Sequence, residues 1–183
     1  MHRHDWSERR KWQDPEAILA RLGLEPGMTF LDIGCGDGFF AIPAANIVGK
    51  SGRVYGIDID SGAVEDLKNR AEREDLHNIH LEVGAAEETV ICDRCADIAF
   101  FGIDLHDFRD PKKVLLNAHQ MIKPAGLLAD LDWKKEETPF GPPPHIRFSE
   151  EKAAGLIQGA GFRVTGIEPA GPYTYLVMAV PGS

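Results

Sequence analysis

Apolar positions along the chain gather into short continuous runs separated by longer runs of helical period. "MTFLDIG", "RVYGIDI", "NIHLEV", "ADIAFFGI" and "GLLADLDW" have the length and composition of strands buried on both faces. Between them, "FFAIPAANIV", "SGAVEDLKNRAERE" and "DPKKVLLNAHQMI" read as helices, with "DPEAILARLGL" before the first strand and "SEEKAAGLIQGAG" after the fifth. Asp14 before Pro15 and Asp110 before Pro111 are cap and first-turn signals. Ser61 and Ser149 are expected as caps of their helices, Gly161 as a stop, and Pro43 as a residue that bends or shortens its helix. "FRVTGIEPAG" and "PYTYLVMAV" are joined too tightly for a helical crossover, so this last pair is predicted to be antiparallel. The alternation predicts one α/β domain, a doubly wound, mostly parallel seven-stranded sheet with an antiparallel last strand and helices on both faces.

One segment breaks the pattern. "WKKEETPFGPPPHIRF", residues 133–148, holds four of the twelve prolines and is too charged for the core. It is expected to form a loop over the carboxyl edge of the sheet.

In such a sheet, ligands gather at the carboxyl ends of the strands where strand order reverses. The first strand-to-helix turn, "GCGDGF", places Gly34, Gly36 and Gly38 there. Glycine lets backbone approach a ligand and adopts positive φ freely. A dinucleotide fingerprint would need a third glycine where Phe39 stands, and pyrophosphate would sit poorly beside Asp32 and Asp37. The second strand ends in Asp58, at the offset where a carboxylate meets ribose hydroxyls. The turn therefore asks for a nucleoside with a cationic, phosphate-free tail, which S-adenosylmethionine is.

Bulk properties narrow the choice. With 29 acidic against 20 basic residues the net charge is −9, which disfavours nucleic acid as a partner despite the short run Arg9, Arg10 and Lys11. No run is long enough to cross a bilayer and the first residues carry no apolar stretch of signal-peptide type, so a cytoplasmic protein without a membrane partner is expected. Cys92 and Cys95 have C-x-x-C spacing, but no second pair completes a zinc site and the motif opens no helix. An incidental surface loop is the favoured reading.

"LDIGCGDGFFAIPAA" followed by "VYGIDID" resembles the first two signature motifs of class I S-adenosylmethionine-dependent methyltransferases, especially the small ones related to ubiquinone and menaquinone biosynthesis. The resemblance continues through "VGAAEE", "ADIAFFGIDLHDFRDPKKVL" and "HQMIKPAGLLADLDWKKEE", nearly the whole chain. It implies a Rossmann-like fold and S-adenosylmethionine as cofactor. Asp32 would orient the turn or meet the methionine ammonium, and Gly34, Cys35 and Gly36 would lie along the methionine. Asp58 would take the ribose hydroxyls, Ile59 would pack on adenine, and Ala85 and Ala86 would lie beside the ring. "GAAEE" departs from the pattern in lacking an aspartate for the adenine amino group, which leaves backbone, Glu87 or water. Cys35 reads as a small turn residue, not a nucleophile.

Methyl transfer is a displacement at carbon that needs alignment and, for a protonated acceptor, a base. "GIDLHDF" supplies His106 as first candidate and Asp104 as second, with Asp132 and Trp133 ending the fifth strand. Bracing of the loop is the competing role for His106. His119 is expected to be structural and His145 solvated. Residues 1–24, with Trp6 and Trp12, are expected to form a lid or helix over the cofactor, the alternative being a core edge or dimer contact. The expected acceptor is a small or flat molecule, and a homodimer is compatible with the chain. A non-catalytic S-adenosylmethionine-binding module or sensor is the rival reading, followed by an NAD-dependent oxidoreductase.

Overall fold

A computed structural model describes residues 6–182 of the chain. Residues 1–5 of the expected lid lie outside them. Seven strands form one sheet in the order β3-β2-β1-β4-β5-β7-β6. They are β1 (Thr29–Ile33), β2 (Arg53–Asp58), β3 (Ile79–Val83), β4 (Ala96–Gly102), β5 (Ile122–Trp133), β6 (Phe162–Pro169) and β7 (Thr174–Pro181). β1 to β5 run parallel, and β7 is antiparallel to both β5 and β6. Strand order reverses between β1 and β4, whose register pairs Phe30 with Ile98 and Asp32 with Phe100. This confirms the doubly wound sheet and places the crevice above the ends of β1 and β4.

Alternate residues of the central strands feed two cores, which is why these strands read as continuously apolar. Phe30, Val54, Ile98, Phe100 and Leu131 pack with α2 (Pro15–Arg21), α3 (Ala41–Val48) and α4 (Ser61–Arg73). Leu31, Ile33, Ile57, Ala99 and Phe101 face α5 (Pro111–Met121) and α6 (Glu150–Gly159). A short α1 (Trp6–Arg10) precedes them, and one turn of 3-10 helix, Leu105–Asp107, follows β4. α1 falls within the segment expected to form a lid or helix, whereas the 3-10 turn was not legible as a helix in the sequence.

The helix starts follow local chemistry. Asp14, Asp110 and Ser149 accept from Ala17, Lys113 and Lys152 N–H, as expected. For α4 the cap is Asp60, one residue before the expected Ser61, accepting from Gly62 and Ala63 N–H at 2.8 and 3.2 Å. A carboxylate satisfies two amides at once and also faces the positive helix end. α3 begins at Ala41, so Pro43 falls in the first turn, where a missing N–H is tolerated. β5 begins at Ile122 rather than Gly126. Cys92 and Cys95 are paired as a disulfide, which the surface-loop expectation did not anticipate. Their loop is tied to the end of α5 by Arg94 and Cys95 N–H on Gln120 and Met121 carbonyls. It sits at the amino end of β4, away from the crevice. Among the described residues no helix is long and apolar enough to cross a membrane.

The proline-rich segment is a loop over the carboxyl edge, but its charge is not all outside. Arg147 is only 2% exposed and organises the loop. Its Nε donates to Pro142 O at 2.7 Å, Nη1 to Lys134 O and Glu136 O at 2.9 Å each, and Nη2 to Thr138 Oγ1 at 2.7 Å. A planar five-donor cation satisfies carbonyls that a proline-rich chain cannot pair with itself. Arg147→Met is expected to destabilise the fold by roughly 2–4 kcal/mol in urea unfolding, because three carbonyls and a hydroxyl lose charge-assisted donors together. An unfolding midpoint equal to wild type would show that the loop holds itself.

Candidate active site

The turn after β1 is anchored to β2. Gly34 and Cys35 N–H both donate to Ile57 O, at 2.8 and 3.0 Å. Asp58 Oδ2 accepts Gly36 N–H at 2.8 Å, and its Oδ1 accepts Asp60 N–H at 2.8 Å. Both carboxylate oxygens thereby keep a free lone pair for a ligand hydroxyl. Gly34 and Gly36 have φ of 81° and 51°, but they serve different ends. A side chain at Gly34 would collide with Asp104, its Cβ lying 1.8 Å from Oδ2, whereas beyond Gly36 there is open space.

Asp104 reaches that position through a strained step. The β-branched Ile103 sits at φ 71°, and its N–H donates to Leu131 O at 2.6 Å. This conformation costs about 1–3 kcal/mol and persists because the sheet edge imposes it. It lays the Asp104 carboxyl over the glycine turn, with both oxygens buried and unpartnered. Burial, reinforced by the charges of Asp32, Asp132, Asp130 and Asp58, drives its pKa well above the ordinary carboxylate value. Asp32, 2% exposed at the end of β1, is pushed up to about 7. Burial is the main cause; Asp58 adds to it, while Arg9 and the Ala41 N–H oppose it.

His106 occupies the 3-10 turn with its side chain 1% exposed. Its Nδ1 meets Asp132 Oδ1 at 2.8 Å and Oδ2 at 3.0 Å, and its Nε2 lies 3.3 Å from Asp107 Oδ1 without a hydrogen-bond partner. Burial pulls the imidazole down, but the Asp132 hydrogen bond and charge outweigh it, so the pKa is raised. Asp130, one pleat behind Asp132 on the same face of β5, is fully buried with both oxygens unpartnered. Burial, then the Asp132 charge, drive its pKa well above the ordinary carboxylate value.

Two adjoining cavities share Asp104, Gly34, Asp58 and Asp107. The larger, about 1340 Å³, brings Asp32, Cys35, Gly36 and His106 together with Arg9, Phe39, Trp12, Trp133, Phe140 and Tyr173. The smaller, about 610 Å³, is lined by Ile59, Ala85, Ala86 and Glu87. Asp32, Gly34, Cys35, Gly36, Asp58, Ile59, Ala85, Ala86, Asp104 and His106 thus each lie on one of the two walls, while Asp132 stands behind His106. Ile59 is 75% exposed, an apolar side chain held out at the crevice where a flat base would cover it. Glu87 Oε1 accepts Arg109 and Asp110 N–H at 3.0 and 3.3 Å, bracing the start of α5. Cys35 is buried against Gly56, and burial drives its thiol pKa far up, as suits a turn residue. His119 packs edge-on against Phe162, and His145 is exposed. Trp12 stacks near Trp133 and Phe140, with centroids 5.0 and 5.2 Å away. Among the described residues no cluster suited to a metal ion occurs.

Two residues and one contact escaped sequence reasoning. Asp130 could have been found as the i−2 partner of Asp132 in "ADLDW", a two-residue period on one face of a strand. The tie between His106 and Asp132 spans 26 positions and leaves no local signal. Arg9 enters the site only because α1 folds back on the turn.

The residues fit the expected cofactor: orphaned carboxyls for a cation, free lone pairs on Asp58 for a diol, an exposed Ile59 for a ring. Residues 24–162 match the family described as "Methyltransferase domain". A structure of a SAM-dependent methyltransferase from Aquifex aeolicus superposes with a TM-score of 0.90 at 32% identity, covering 98% of this chain and all of that one. Demethylmenaquinone methyltransferases of Geobacillus stearothermophilus and Listeria welshimeri are 29% and 30% identical over 131 and 129 residues, 72% and 70% of this chain. The chain spans about half the length of these curated relatives, 55% and 54%. With the sheet order, the glycine turn and the acid at the end of β2 all in agreement with that match, the chain belongs to the S-adenosylmethionine-dependent methyltransferases.

Proposed function

We propose that this domain methylates a small, flat acceptor bound in the larger cavity, with His106 as the group that takes the acceptor's proton. The supporting observation is His106 itself: Nδ1 is occupied by Asp132, while Nε2 has no hydrogen-bond partner on a wall shared with the glycine turn. When bound, S-adenosylmethionine supplies the methyl group and its own leaving group. Asp132 fixes the ring and stabilises the imidazolium that forms as the proton arrives. Asp104 lies over Gly34 with both oxygens unpartnered, which suits it to accept hydrogen bonds from the cationic end of the cofactor. Trp12, Trp133, Phe140 and Tyr173 give the cavity an aromatic wall, and two relatives are named for demethylmenaquinone, a flat ring system of the kind such a wall accepts. The net charge of −9 supports a small molecule over nucleic acid.

Transfer of labelled methyl to a panel of phenols, hydroquinones and aliphatic alcohols tests the acceptor class. Turnover confined to aliphatic acceptors, or none with any acceptor beside firm cofactor binding, would remove the aromatic reading or the enzymatic one.

His106→Gln is expected to lower kcat by about 10²–10⁴-fold with S-adenosylhomocysteine affinity intact. In the wild type, rate should rise with pH and level off above the ordinary histidine range, since only the neutral ring accepts a proton and the folded pKa is raised. Asp132→Asn removes what raises it, so the rising limb should move to lower pH. A limb that stays in place would assign the titration to another group.

Asp32 must be ionised to face a cation, and it holds its proton up to about pH 7. S-adenosylmethionine affinity should therefore weaken as pH falls below that value, by at most about tenfold per pH unit, with proton release on binding. Calorimetry in buffers of different ionisation enthalpy reads that release, and Asp32→Asn should abolish it.

A further inference from the structure

The amino-acid end of the cofactor carries a carboxylate as well as an ammonium, and the glycine turn has little left to offer it. Gly34 and Cys35 N–H are bonded to Ile57 O, Gly36 N–H to Asp58, and Gly38 N–H to Cys35 O. The surrounding side chains are carboxyls. A carboxylate placed here needs a donor from outside the turn.

α1 brings one. Trp6 Nε1 donates to both oxygens of Asp37, at 3.0 and 2.9 Å, and the Arg70 guanidinium lies 3.6 Å from the Trp6 ring centroid. This pin holds α1 on the glycine turn. Arg9 then sits over the Phe39 ring, its Cζ 4.0 Å from the centroid, with Nε donating to Gln13 Oε1 at 2.6 Å. Its Nη2 is enclosed and has no partner, and neither does Nε2 of the buried Gln13. Arg9 lines the larger cavity with Asp32, Gly34, Gly36 and Asp104. A simple counter-ion would close on one of these acids. Among the described residues, however, no carboxylate comes within ion-pairing distance of Arg9, although Asp104, Asp32 and Asp37 all act on it electrostatically. An unpartnered guanidinium nitrogen on the wall that also carries the orphaned carboxyl of Asp104 makes a socket for a zwitterion.

We propose that Arg9, carried by α1, receives the carboxylate of the cofactor's amino-acid end while Asp32 and Asp104 receive its ammonium, so that the segment before the first strand selects amino-acid-bearing cofactor. This rests on the S-adenosylmethionine reading of the site. Arg9 is a fork-shaped donor suited to a carboxylate, and the Phe39 ring and Gln13 hold it in place.

Calorimetry on the full chain tests it with two probes, S-adenosylmethionine and decarboxylated S-adenosylmethionine, which differ only in the carboxylate. Wild type should prefer the first by about tenfold or more, and Arg9→Met should bring the two within about twofold by weakening only the first. Arg9→Lys, which keeps the charge but not the fork, should leave an intermediate preference, and it carries the test should the Met variant not fold. Equal affinities in the wild type, or a preference unchanged in Arg9→Met or in Arg9→Lys, would overturn the assignment and leave Arg9 a balancing charge. Should the wild type bind neither probe, the cofactor reading itself fails.

Discussion

Crowding of carboxyl groups at one edge of the sheet governs this structure. Adjacent parallel strands lie about 4.8 Å apart, so acids at the ends of neighbouring strands are forced together. Asp32 ends β1, Asp58 ends β2, Asp104 follows β4, and Asp130 and Asp132 lie near the end of β5. In a poorly solvated crevice these charges cannot all be ionised at once. Burial pushes Asp104 and Asp130 upward, Asp32 titrates near neutrality, Asp132 takes the His106 hydrogen bond, and Asp58 leans on backbone amides. An arrangement of this kind favours any ligand that brings positive charge and tolerates proton loss.

The scaffold holds that arrangement by geometry rather than by pairing. Ile103 at positive φ throws Asp104 back over Gly34, and Gly34 is glycine because the carboxyl occupies the place of a side chain. Helices on both faces bury the strands beneath, so the edge cannot relax by splaying. Arg147 organises the proline-rich loop beside the cavity, and the aromatic residues Trp12, Trp133, Phe140 and Tyr173 close its far wall. Charge is thus concentrated toward the glycine turn, and apolar surface is set where an acceptor would lie.

Fold and cofactor were legible because their signals are local. Strand length, helix caps at Asp14 and Asp110, the glycine turn and the acid at the end of β2 are each written within a few neighbouring residues, and strand order follows from short right-handed crossovers. Locality also explains one small error, since Asp60 displaced Ser61 as cap because a carboxylate serves two amides, while α3 starts late at Ala41, as Pro43 led one to expect.

What the amino-acid sequence determined by itself was therefore the kind of sheet, the position of its ligand edge and the charge that edge demands. Only the folded chain decided which side chains meet there. His106 finds Asp132, Trp6 finds Asp37 and Arg147 finds the carbonyls of its own loop, the first two across 26 and 31 positions. Such meetings depend on how helices and loops close over the sheet, and no periodicity or short motif encodes a distance between residues that the chain brings together only at the end.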